Sequence, residues 1–156
     1  MPPGIQVACD VGAVRIGLAR SDPMGLLAVP LPAVPAGDAA IAAVLETVGE
    51  WAATAVYVGL PLRLAGDEGP AAAAARSWAR KLAERTSVPV RLVDERLSTV
   101  QAQRGLHAAG RTTRSSRSVI DSAAAVAVLQ AVLDQLAGTG GPVGELVAST
   151  DEGTAR

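Results

Sequence analysis

A chain of 156 residues that is 49% hydrophobic has material for one packed core and too little for two, because single domains commonly run to about 100–150 residues. Its longest uncharged run lies between Asp22 and Asp38 and is interrupted by Pro23, Pro30, Pro32 and Pro35, each lacking the amide donor that a lipid-buried helix needs, so a membrane span is excluded. The formal net charge is -1, and one cysteine and one histidine exclude an internal disulfide, a cysteine-held zinc and a histidine-rich metal centre.

The opening Met1-Pro2-Pro3-Gly4 has neither the charged nor the apolar region of a secretory signal, so a cytoplasmic address is expected. Ile5 to Asp10 and Val14 to Arg20 are short apolar runs on either side of Val11-Gly12-Ala13. They predict a hairpin whose turn uses glycine's freedom. Strand alternation turns Cys9 away from Asp10 and makes it a small core residue. A third strand is expected over Leu26 to Val34, at a sheet edge where prolines without an amide hydrogen do no harm. Asp38 then caps a helix to about Ala53, with Ile41, Val44, Leu45 and Val48 at helical spacing. Ala55 to Leu60 reads as a buried strand and Leu60 to Pro70 as a loop rich in Gly and Pro. The alanine-rich segment from Pro70 to Thr86 reads as a helix entered through its proline. Val88 to Asp94 is the next strand and ends in Asp94-Glu95-Arg96.

Ser98 followed by Gln101 makes a capping-box pattern for a helix that Gly110 closes, with His107 on its surface. Arg111 to Arg117 is a polar, basic loop. Ser118 followed by Asp121 opens a second capped helix through Leu136, apolar on nearly every face and therefore expected to be buried. Residues 1–137 then form one α/β domain, a five-stranded mixed sheet flanked by helices. Residues 138–156, with glycines, small polar residues and no periodicity, are expected to be a flexible tail.

From Arg76 to Arg117 there are ten basic residues against three acidic ones, while the remainder has four against twelve. The band is either a solvated face or a footprint for phosphates, which respond to local charge whatever the total. Asp10 closes the first strand and Glu95 lies just beyond the last, so both carboxylates can meet at the carboxyl edge of the sheet, with Asp121 in the first turn of the buried helix. Three acids gathered there would repel one another, and a divalent cation relieves that repulsion. Oxygen-only ligation favours Mg²⁺ or Mn²⁺ over zinc, and two such ions about 3.5–4 Å apart can activate a water and stabilise the leaving oxygen of a phosphodiester. Ordinary roles stand beside this one: Asp10 as a turn-former before Gly12, Glu95 as a surface partner of Arg96, Asp121 as a helix cap. A Ser-His-Asp triad would depend on His107, which has no evident partner.

The run Asp10-Val11-Gly12-Ala13-Val14-Arg15-Ile16-Gly17-Leu18-Ala19-Arg20-Ser21-Asp22-Pro23 resembles the opening of the YqgF/RuvX family, relatives of the RuvC Holliday-junction resolvases with an RNase H-like fold. Val58-Gly59-Leu60-Pro61-Leu62 with Gly66, Val93-Asp94-Glu95-Arg96-Leu97-Ser98-Thr99 and Ile120-Asp121-Ser122-Ala123-Ala124-Ala125 continue the resemblance in order, over roughly residues 5 to 136. It implies that Asp10, Glu95 and Asp121 are the catalytic, metal-binding acids, with Mg²⁺ as cofactor and Mn²⁺ able to substitute. The family's basic loop corresponds to Arg111, Arg114 and Arg117, thinned here by serines and threonines, and Arg15, Arg96 and Arg104 are expected to join them on a nucleic-acid backbone. The implied activity is maturation of the 5′ end of precursor 16S rRNA or resolution of four-way DNA junctions. The protein would work as a monomer or a homodimer, and junction resolution would need two paired sites. Aromatic content of 2% argues against a stacking platform for single-stranded bases. Two other readings are a nucleic-acid-binding factor without catalysis, and the phosphate hairpin of an actin-like ATPase, for which one domain is too short.

Overall fold

The computed structural model describes residues 4–97 and 121–147. Strands β1 (Gln6–Val11), β2 (Arg15–Ser21) and β3 (Ala28–Pro35) form an antiparallel meander. Helix α1 (Asp38–Trp51) leads to β4 (Ala55–Leu60), parallel to β1, and α2 (Pro70–Ala83) leads to β5 (Val90–Asp94), parallel to β4. A short 3-10 turn, Glu95–Leu97, follows; beyond Asp121 come α3 (Ala123–Thr139) and the two-residue β6 (Glu145–Leu146), antiparallel to β5. The sheet order is β3-β2-β1-β4-β5-β6, which places the proline-bearing β3 at an edge as its sequence predicts.

Alternation of side chains splits the core into two layers. Val7 and Cys9 of β1, with Val56, Val58 and Leu92, pack under α1 and α2 against Ile41, Val44 and Leu82. Ala8, Ala19, Tyr57 and Val93 face the other way, against Ala125, Val128, Leu129 and Val132 of α3. Asp10 lies two residues beyond Ala8 and so belongs to the α3 side. Burial pushes the Cys9 thiol well up, as befits an inert core residue. Among the described residues no helix is long and apolar enough to cross a membrane.

Four expectations need correction. The sheet has six strands rather than five, because the stretch expected to be a tail re-enters the fold. Gly140 ends α3 in the left-handed conformation at φ 72, and Val143 and Val147 are then buried on either side of β6. Two valines and a two-residue strand are too short a signal for periodicity to register. Helix α3 is not buried all round: Ala125, Val128, Leu129, Val132 and Leu133 form one buried stripe, while Asp134 and Gln135 are exposed. Asp38 is the first helical residue of α1 behind Gly37, favouring the helix dipole rather than capping it. Gly12 is needed in the hairpin for room, not for a positive φ, since its amide donates to the Arg15 carbonyl at 3.0 Å and a Cβ there would stand 2.7 Å from that oxygen. The helix expected from Ser98 to Gly110, with His107, and the basic loop lie outside the described residues.

Candidate active site

Asp10 stands at the carboxyl end of β1 with small residues on both sides. Across the antiparallel pair its partner is Gly17. On the parallel side Cys9 pairs with Val58, so the next residue of β4, Gly59, runs alongside Asp10. Glu95 begins the turn after β5 and folds back over that glycine, and a Cβ at Gly59 would collide with its carboxylate. The two acids thereby meet in the room that the glycine leaves. Burial, a hydrogen bond with Asp10 and the charges of Asp10 and Asp94 push the Glu95 carboxyl up to about 8. Burial disfavours the charged form first, and the neighbouring carboxylates add to it, so the Glu95 carboxyl keeps its proton at neutral pH.

Asp121 reaches the same edge by a different device. The β2–β3 register shifts between Ile16/Val34 and Leu18/Leu31, so Gly17 alone faces Pro32 and Ala33. Ser122, fully buried, closes this break: its hydroxyl accepts the Leu18 amide at 3.0 Å and donates to the Leu31 carbonyl at 2.7 Å. The backbone just before it lies on Gly17, where a Cβ would stand 2.5 Å from the Asp121 carbonyl oxygen. Asp121 therefore sits over the cross-strand partner of Asp10. Asp121 is itself helical, Ser122 is the boundary residue before α3, and the expected cap at Ser118 lies outside the described residues. Its carboxylate is engaged by Arg15, Nε to Oδ2 at 3.3 Å. Among the described residues no three acids close into a ready-made metal cage: Asp10 and Glu95 are together, and Asp121 stands beside them on Arg15.

Arg96 does not pair with Glu95. Its Nε and Nη2 donate to the Asp94 carboxylate at 3.1 and 2.7 Å, and its backbone amide adds a bond to Oδ1 at 2.9 Å. The Arg96 side chain beside Asp94 holds that carboxyl below the usual range, and the guanidinium is fixed at the mouth of the site near Gly66. Arg104, Arg111, Arg114 and Arg117 lie outside the described residues.

The family profile described as "RuvX: Holliday junction resolvase" matches residues 4–135, a span that includes all three acids. The chain belongs to the RuvX family. Proteins named "Putative pre-16S rRNA nuclease" resemble it along most of its length. The one from Clavibacter sepedonicus is 49% identical over 147 residues, covering 92% of this chain and 91% of that protein. The one from Nocardioides sp. JS614 is 47% identical over 156 residues, covering 96% and 100%. Among solved structures, RuvC from T. thermophilus in complex with a Holliday junction substrate superposes with a TM-score of 0.58 at 18% identity, covering 92% of this chain and 99% of that one. At that identity the likeness is one of fold, RNase H-like. In this RuvX chain the sequence marks Asp10, Glu95 and Asp121 as candidates, but not Ser122, Gly17 and Gly59, the residues that position them. The signals available were slight: a small polar residue at the head of an apolar helix, and glycines inside two strands.

Proposed function

We propose that the chain is a metal-dependent endonuclease that hydrolyses phosphodiester bonds in structured nucleic acid, and that its substrate is precursor 16S rRNA at the 5′ end. The observation that carries this reading is the Asp10–Glu95 contact, two carboxyls meeting in the room that Gly59 leaves at the carboxyl edge of a parallel strand pair. Oxygen donors alone, one of them kept protonated chiefly by burial, suit a hard divalent cation such as Mg²⁺, with Mn²⁺ as substitute. Asp10 would be shared, with Glu95 and Asp121 completing the ligand set. When bound, the metal pair supplies an activated water and neutralises charge on the phosphate.

The chain's own residues do the rest. Asp94 holds Arg96 rigid and exposed, so its remaining guanidinium edge is available to a phosphate oxygen. Arg15 lies across the site on the hairpin, and Arg104, Arg111, Arg114 and Arg117 would extend the contact along the backbone. Recognition rests on backbone charge and duplex shape: Tyr57 and Trp78 are buried and Trp51 is covered by Arg20, whose guanidinium carbon is 4.1 Å from the ring centroid. None of these rings is free to stack on a base.

The test is digestion of precursor rRNA and a synthetic four-way junction, side by side, with Mg²⁺ or Mn²⁺. Wild type should cut the RNA, and Asp10→Asn should lose cleavage while keeping its circular dichroism spectrum. Cleavage by Asp10→Asn at the wild-type rate would remove the acids from the chemistry. A product from the junction alone would make the protein a resolvase, the reading that the family description favours.

A further inference from the structure

The described arginines that touch acids around the site and along α2 do so in two quite different ways. Arg96 is forked onto Asp94 through two nitrogens and its own backbone amide. Arg76 binds two carboxylates at once, Glu68 and Glu145, both at 2.6 Å. These pairs are static braces. Arg15 approaches Asp121 through Nε at 3.3 Å, longer than those braces, with 55% of its side chain and 39% of its partner's exposed. A long, solvent-screened pair of that kind is easily exchanged. Its location is also different, because Asp121 is the one acid of the three that stands outside the Asp10–Glu95 contact.

On the metal-centre reading a cation beside Asp10 and Glu95 takes Asp121 as its third ligand, and Arg15 lies against one oxygen of that carboxylate, Oδ2. A divalent cation drawn to that carboxylate competes with the guanidinium for its charge and repels it, so the weak Arg15 contact is the one that yields. Once released it stays tethered to the first residue of β2, across the hairpin from the site, with its charge no longer neutralised. We infer that Arg15 is an exchangeable counter-ion of Asp121, which holds this carboxylate until a divalent cation takes it and then passes to the nucleic-acid backbone. Phosphate binding is thereby coupled to metal loading. Metal-free protein has a quenched arginine at the site and grips poorly; loaded protein presents it. The inference rests on the metal-centre reading given above.

Two measurements on the full chain test it. In an NMR titration with Mg²⁺, the Arg15 Nε–H resonance, assigned through Arg15→Lys, should move over the same concentration range as metal saturation. Arg15→Gln should bind Mn²⁺ about two- to fivefold tighter than wild type in the absence of nucleic acid, the amount released by removing an exposed ion pair. With Ca²⁺ in place of Mg²⁺, the metal-induced gain in duplex RNA affinity seen with wild type should shrink in Arg15→Gln. A resonance unmoved at saturation, an Arg15→Gln affinity no higher than wild type, or an undiminished Ca²⁺ effect overturns the exchange and leaves the metal centre standing. No Mn²⁺ binding by wild type, or undiminished binding by Asp10→Asn, overturns the metal centre and the exchange together.

Discussion

Replacing Ser122 with alanine removes one oxygen from the middle of the protein and should be felt across the whole fold. The hydroxyl is fully buried and serves two backbone groups, the Leu18 amide at 3.0 Å and the Leu31 carbonyl at 2.7 Å, at a point where the β2–β3 ladder is broken. A net hydrogen bond is worth about 1 kcal/mol, and a buried group left without a partner costs about 1–3 kcal/mol, so losing both contacts should destabilise the protein by about 2–4 kcal/mol. Helix capping adds nothing to this figure, since the Ser122 side chain makes no cap bond to α3. For a domain of this size the loss corresponds to a fall in Tm of roughly 5–12 °C. Urea unfolding followed by tryptophan fluorescence, with and without the substitution, gives the number directly, provided the m-value is unchanged. A loss below about 0.5 kcal/mol, the range of an ordinary surface substitution, would mean that water or a backbone shift repairs the break. The account of how Asp121 is held would then be wrong.

Gly59→Ala should leave β4 in place but force the Glu95 carboxylate off Asp10. Cleavage should fall by about 10²-fold or more, as expected when a reacting geometry shifts by about 1 Å; retention of most of the activity would show that the close contact is dispensable. The Glu95 carboxyl, raised from its usual 4.5 to about 8, gives a stability term that is present below pH 4.5 and lost as pH rises through 8. Metal-free protein should accordingly lose about 2 kcal/mol between pH 5 and pH 8.5, after allowance for solvent screening at this partly exposed edge. Glu95→Gln should flatten that slope and Mg²⁺ should reverse it, both readable in thermal melts. An equal slope in the Glu95→Gln variant would place the titration elsewhere.

The parts of the site that could be read in advance are those carried by local pattern. A strand that ends in Asp10 and another that ends just before Glu95 put two acids at one edge once the sheet is parallel there, and the topology does the rest. The alternation of Val7, Ala8 and Cys9 likewise foretells which face each lines. What escaped depends on contacts between distant segments. Leu18 and Ser122 are 104 positions apart, and nothing in either neighbourhood signals that one completes the other's ladder. Gly17 and Gly59 look like weak spots in strands until the residues lying on them are known. The pairing of Arg15 with Asp121 follows from the same juxtaposition and from no local motif. At the other border β6 was missed because two residues leave no period to detect.

The two borders of the sheet have a consequence for assembly. One is β3, whose Pro30, Pro32 and Pro35 take amide donors out of the rim; the other is β6, only two residues long. Among the described residues neither offers an incoming chain a long continuous row of backbone groups to zip onto. Crowding the protein to high concentration should therefore not set off strand-by-strand growth from these two borders.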